Sequence, residues 1–290
     1  TEGDDAFVVA AKEAICNVPK MNFGNQPRDG GFFVISPEER EEILAKEPGL
    51  EKWLHPYIGA EEFIKGKKRY CLWLVHASPL DIKNSKILYE KVEAVRQFRL
   101  SSKAKTTKEY AKVPSIFAQI TQPENKNYHI IPSVSSEKRI YVPIGFMSAN
   151  DISSNAVQIV PNATLYHFGV LTSNVHMAWM RAVCGRLKSD YRYSKEIVYN
   201  TFPWPAPSEA QRAKIEQTAQ MILNARANYP DTPMAALYDK TLMPLDLQKA
   251  HQANDRAVMQ AYGMPIKETD EAACVAWLMK LYQEKVNEQK

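Results

Sequence analysis

Cys184-Gly185-Arg186-Leu187-Lys188-Ser189-Asp190-Tyr191-Arg192-Tyr193-Ser194, closed by Asn200-Thr201-Phe202-Pro203-Trp204-Pro205, is the stretch on which the reading turns. Lys188, Asp190 and Arg192 stand at every second position, and Tyr191 and Tyr193 fill the alternate ones. Successive side chains of an extended chain point to opposite faces. The spacing therefore predicts a strand with three charges on one face and two tyrosines on the other. A solvated strand edge with a Lys–Asp ion pair has this pattern, and so does a surface that reads base edges. Lys donates to guanine O6 and N7, and Asp accepts from cytosine N4. By chemistry alone the exposed ion pair, which is worth little, is the better bet.

Working outward, the residues before this stretch read as short strands: Ser115–Ile120, Tyr128–Pro132, Arg139–Ile144, Ala156–Val160 and Thr164–Phe168. They alternate or run apolar between turn residues, which argues for an irregular, mostly antiparallel sheet. Asn174–Leu187 has helical spacing. Earlier still, Asp4–Cys16 is expected as a short helix or the start of a strand, and 22–33 as a loop. Ser36-Pro37-Glu38-Glu39 is a helix start with a capping box, and Pro48-Gly49 ends that helix. Arg69–Val75 reads as a buried strand. Pro79 opens a longer helix with Leu88, Val92, Val95 and Phe98 on its apolar stripe and Lys91, Arg96 and Arg99 opposite. Ser101–Lys112 lacks apolar periodicity and is expected as a mobile basic loop.

After the stretch the composition changes. Pro203, Pro205 and Pro207 form a stiff linker, and helices follow over Ser208–Ala227, Pro233–Tyr238, Leu245–Tyr262 and Thr269–Val286. The expected class is α+β: an irregular, mostly antiparallel sheet domain with packed helices over 1–207, then an all-α domain over 208–290.

The 290 residues are 45% apolar and 24% charged, ordinary for a globular protein. No apolar run approaches the ~20 residues of a membrane span. Cys16, Cys71, Cys184 and Cys274 are scattered, with no Cys/His cluster, so no zinc site is expected and a reducing cytoplasm is the expected compartment. There is no GxSxG, HExxH, Walker loop or GxGxxG, so no catalytic constellation is expected on this chain. The net charge of +4 conceals a basic segment, since residues 65–140 carry 16 Lys/Arg against 6 Asp/Glu. Lys103, Lys105, Lys108 and Lys112, with Arg139, are the candidates for phosphate contact. A scaffold that binds protein partners is the alternative from another class.

Several ordered motifs carry a resemblance. They are Gly24-Asn25-Gln26-Pro27-Arg28-Asp29-Gly30-Gly31; Ser135-Ser136-Glu137-Lys138-Arg139; Tyr141-Val142-Pro143-Ile144-Gly145-Phe146; Thr164 to Ser173; and His176-Met177-Ala178-Trp179. Ala236-Leu237-Tyr238-Asp239 and Lys249-Ala250-His251-Gln252 extend it through the helical end. Over almost its whole length the chain resembles the C-terminal part of the MmeI-like restriction–modification enzymes, which fuse an adenine-N6 DNA methyltransferase to a target recognition domain. The family's Asn/Asp-Pro-Pro-aromatic loop needs adjacent prolines, and this chain has none. The resemblance therefore implies a recognition fragment, with 1–31 as a lead-in from an N-terminal methyltransferase domain that binds S-adenosylmethionine. It leaves open whether the parent also cleaves DNA. It implies double-stranded DNA as partner and assigns readers. Lys188 and Asp190 would read a guanine 3′ of the methylated adenine. Arg192 with Ala156 would read the base 5′ of it, and Asn155, assisted by Glu137, one base further out. The implied site contains purine-A-G.

Overall fold

The computed structural model describes residues 7–288. They form two compact units: one takes the chain up to Asn22, Asn127–Phe146 and everything from Gln158, and the other takes Phe23–Lys126 and Met147–Val157.

The second unit is built on a four-stranded sheet in the order Val34–Ile35, Tyr70–Leu72, Leu54–Ile58 and Ile152–Ser153. The first two junctions are antiparallel and the last is parallel. Its core centres on Phe117, which stacks on Phe33 and takes Tyr57 and Trp73 edge-on at 5.8 and 5.1 Å. The helix Pro37–Lys46 starts at its expected cap, with the Ser36 hydroxyl accepting from the Glu39 amide, but Glu39 does not close the expected capping box, because its carboxylate pairs with Lys91 instead. The long helix expected from Pro79 is broken into Pro79–Asn84 and Lys86–Ser101. Buried Ser85 is the cause: its hydroxyl caps the second helix at Leu88 N and donates to Glu47.

Arg99, expected on the outer face, is completely enclosed. Its guanidinium donates to the carbonyl oxygens of Pro27, Arg28, Tyr110, Val113 and Ile116. That anchor converts the expected mobile loop into the helix Lys105–Glu109 and a 3-10 turn over Tyr110–Lys112. A second hub is buried Asn25. Its amide donates to Gln122 and Ser153, and its oxygen accepts from the Thr121 and Gln122 amides. Neighbouring Gly24 has no room for a side chain, because a Cβ would lie 2.1 Å from the Ser154 carbonyl oxygen.

A second four-stranded sheet has Val157–Pro161 and Tyr128–Pro132 at its centre, and the first unit holds a three-stranded sheet in the order Gly185–Leu187, Asp190–Arg192, Val134–Ser135. Thr164–Phe168, expected as a strand, is the start of the helix Leu165–Leu171. Thr164 caps it, and His167 Nδ1 accepts the Thr164 amide at 3.0 Å, where a capping box more often uses Glu or Gln. Arg139–Ile144 and Ser115–Ile120, also expected as strands, are irregular. The helix after Ser173 stops at Val183, not Leu187.

The helices Glu209–Ala227, Leu245–Tyr262 and Glu271–Glu288 lie close to their sequence expectation. The stripe Ile215, Ala219 and Ile222 is fully buried. Helices on both sides of Pro207 share one hydrophobic core, to which Phe202 and Trp204 contribute. Tyr262 Oη also donates to the Pro203 carbonyl oxygen at 2.7 Å. The Pro203–Pro207 segment is thus packed structure at its start, and not a free linker. Gly169 allows the helix Leu165–Leu171 to touch Ile215 and Asn254, where a Cβ would come within 2.6 and 3.1 Å.

The N-terminal stretch is built in rather than trailing. Of Asp4–Cys16, residues 4–6 lie outside the described residues, and residues 7–16 form neither helix nor strand. They are held by Ala11 N donating to the Glu196 carbonyl oxygen and by Asn200 Nδ2 donating to that of Ala11. Further on, Tyr199 Oη donates to the Pro19 carbonyl oxygen.

Candidate nucleic-acid interface

The run 184–194 is a hairpin, which corrects the expectation of one strand. Its register pairs Gly185 with Arg192, Arg186 with Tyr191 and Leu187 with Asp190. Lys188 and Ser189 are left as a two-residue turn, and Lys188 has φ +57°. Hairpin turns this short need positive φ because only that twist matches the flanking strands. Glycine normally supplies it, and a side chain there costs roughly 1–2 kcal/mol. The inside–outside alternation holds within the second strand alone. Tyr191 and Tyr193 are buried, while Arg192 is exposed and Asp190 half-buried. Lys188 stands exposed on the turn instead of sharing their strand.

Arg186 offsets the strain of that turn. It lies opposite Tyr191 with its guanidinium 4.2 Å from the ring centroid, and its Nη1 donates to the Ser189 carbonyl oxygen at 2.9 Å. The cation–π contact contributes about 0.5–1 kcal/mol at an exposed site. The hydrogen bond, open to solvent, adds about 0.5–1.5 kcal/mol. Together they are comparable with the cost of the lysine backbone. Arg186 Nη1 also lies 3.7 Å from the Glu137 carboxylate. The Glu137 amide in turn donates to Asp190 Oδ1 at 3.4 Å, a long bond. Glu137, Arg186, Lys188 and Asp190 are therefore gathered at one end of the hairpin.

Arg139 sits behind them, half-buried, with Nη1 donating to the Ser135 hydroxyl. Burial pushes its pKa down, while the nearby carboxylates of Asp190 and Asp239 oppose that shift. It lines a cleft of ≈ 630 Å³ with Glu137, Lys138, Arg181, Asp239 and Glu271. Arg181 is held there by Glu271 at 2.7 Å. Arg139 thus faces the protein's own carboxylates, whereas Lys103, Lys105, Lys108 and Lys112 are all exposed. Lys112 is paired with Glu109. These four lysines belong to the second unit, as do Asn155 and Ala156, which form an exposed turn before the strand Val157–Pro161.

The chain matches the family model for the MmeI target recognition domain over residues 2–206, and that for the MmeI C-terminal domain over residues 207–289. It belongs to the MmeI family. A solved structure of the Type IIL restriction–modification enzyme MmeI in complex with DNA superposes with a TM-score of 0.94, at 42% identity, covering 99% of this chain and 38% of that one. DNA methyltransferase A of Bacillus subtilis (strain 168) is 39% identical over 285 residues, which is 98% of this chain and 32% of that protein. The chain thus spans about a third of the length of these two relatives.

The MmeI-family motifs acquire physical roles. Arg226 donates to Tyr238 Oη, which is hydrogen-bonded to His251 Nε2 at 2.7 Å. His251 stacks on Tyr141, whose hydroxyl donates to buried Asp255. The Tyr238 and His251 motifs are therefore joined in one buried polar network. Burial also pushes Asp255 up to about 6. His176, fully buried and bonded to Tyr193 Oη at 2.9 Å, is pushed down to about 3. Among the described residues no group of three or more His, Cys, Asp or Glu is placed to hold a metal, and no helix is long and apolar enough to cross a membrane. Sequence reasoning missed Arg186. The signal was the hairpin register, which sets it across from an aromatic residue.

Proposed function

We propose that this chain is the double-stranded DNA recognition module of a longer, S-adenosylmethionine-dependent adenine-N6 methyltransferase of the restriction–modification type. The observation that carries the reading is the likeness, over nearly the whole chain, to MmeI solved in complex with DNA. The exposed Arg192 and Lys188 beside half-buried Asp190 support it, because they offer donors and an acceptor on one hairpin. A B-DNA major groove admits a two-stranded ribbon of this kind.

In this reading Lys188 donates to guanine and Asp190 accepts from its cytosine partner, on the base pair 3′ of the target adenine. Arg192 with Ala156 reads the purine 5′ of it, and Asn155, helped by Glu137, reads the next base. The lysines of 103–112 neutralise phosphates without reading sequence. The adenine leaves the stack to reach a methyltransferase domain elsewhere in the polypeptide, because its N6 cannot be approached in the duplex. Such an enzyme works in the cytoplasm, where the free cysteines stay reduced.

Sequencing of modified adenines in DNA from cells making the full-length protein tests this. The expected result is N6-methyladenine in one motif containing purine-A-G. Absence of a methylated motif, together with salt-independent or undetectable DNA binding, would favour a protein-binding scaffold.

A further inference from the structure

We infer that Arg186 is a positioning residue for base selection, bracing the hairpin turn so that Lys188 and Asp190 meet one base pair in fixed geometry. The inference rests on the reading of Lys188 and Asp190 as base readers, and goes beyond it by naming what holds them.

Arg186 makes three contacts from one planar group. Its face lies on Tyr191, its Nη1 donates to the Ser189 carbonyl oxygen, and the same nitrogen approaches Glu137. Ser189 is the second residue of the turn and Lys188 the first, so the bond to the Ser189 carbonyl fixes the Ser189–Asp190 peptide, where the turn passes from the strained lysine into the strand that carries Asp190. Through Glu137, whose amide donates to Asp190 Oδ1, the same group is linked to the acceptor of the pair. Without this brace the unfavourable φ at Lys188 would relax, and the ammonium and carboxylate would no longer share a fixed separation. Bidentate readout depends on that separation, because hydrogen bonds weaken steeply once misaligned. Phosphate contacts elsewhere do not depend on it. The brace should therefore govern selection at one base and not affinity in general. Lysine cannot replace it, since an ammonium has neither the planar face nor the fork.

The test uses the full-length enzyme and duplexes differing only at the base 3′ of the target adenine. The readout is the ratio of kcat/KM for guanine over cytosine there, with the corresponding ratio at the 5′ base as the internal control. Arg186→Ala is expected to lower the first ratio about tenfold or more, as removal of a base-reading hydrogen bond does, and to leave the second within about twofold, because Arg192 keeps its own strand pairing with Val134. Arg186→Lys is expected to lower the first ratio as well, and it carries the test should Arg186→Ala not fold. An unchanged first ratio in either folded variant, or equal loss at both bases, would overturn the inference. The double variant Lys188→Glu/Asp190→Arg is run alongside. If it moves the preference while Arg186→Ala and Arg186→Lys do not, the brace is wrong and the base readers stand. If it moves nothing, the base readers are wrong and the brace falls with them.

Discussion

Replacing Arg99 by lysine should damage the second unit far more than a change that keeps the charge ordinarily does. The guanidinium uses all three of its nitrogens: Nε on Arg28 O at 3.0 Å, Nη1 on Tyr110 O and Val113 O at 2.9 Å each, and Nη2 on Pro27 O at 2.9 Å and Ile116 O at 2.7 Å. Five N–H groups in a fixed fork therefore meet five carbonyl oxygens from two separate segments. Lysine has three donors on one atom, so at least two of the carbonyls lose their partner inside the fold. Each buried group left unsatisfied costs about 1–3 kcal/mol, which for two of them makes about 2–6 kcal/mol the expected loss for Arg99→Lys. Urea unfolding reads the loss directly, as a lower midpoint at similar slope. Hydrogen exchange should quicken over 104–116 before it does in the sheet strands Leu54–Ile58 and Tyr70–Leu72. A loss below about 0.5 kcal/mol, the range of ordinary surface changes, would refute the claim that this side chain organises the lysine-bearing segment.

Gly24→Ala places a Cβ 2.1 Å from backbone, which has little freedom to yield, so we expect a loss of at least about 1–3 kcal/mol in the same unfolding assay. Replacing Lys103, Lys105, Lys108 and Lys112 together by alanine should flatten the salt dependence of DNA binding by about 0.9 log units for each phosphate no longer neutralised. Sequence preference should stay unchanged, and titrations at several salt concentrations check both. His129 and His176 are both pushed down to about 3 by burial, so they are neutral when folded and titrate near 6.5 when unfolded. Below that value the unfolded chain binds more protons, and stability falls with falling pH. His176→Gln should reduce that slope by about 1.4 kcal/mol per pH unit between about pH 6 and pH 4.5, as measured by unfolding across pH. Asp255, pushed up to about 6, acts in the opposite direction over the same range.

Much of the scaffold is written in local signals. The Ser36 cap, the Pro37 start and the stripe Ile215, Ala219, Ile222 each depend on neighbours within a turn or two, and each is found as read. What escaped depends on partners far along the chain. Arg99 looks like a surface residue until residues 27, 28 and 110–116 are wrapped around it. Thr164–Phe168 is a short apolar run, for which strand and helix are indistinguishable by period, and its cap uses a histidine where Glu or Gln is the usual signal. The candidate base readers were legible by spacing and resemblance, but their geometry was not. The alternation passes straight through Lys188 and Ser189 without a glycine to mark the turn. Arg186 becomes visible only once the register sets it over Tyr191.

The central claim is that the Lys188 and Asp190 pair reads one base pair. The most direct measurement is the methylated motif produced by the full-length enzyme carrying Lys188→Glu together with Asp190→Arg. Exchanging donor and acceptor should change the base 3′ of the methylated adenine from guanine to cytosine and leave the other positions as they were, with roughly 1–3 kcal/mol of discrimination moved. An unchanged motif from an active double variant would contradict the account, and would leave the pair as two charges on a hairpin with no part in reading bases.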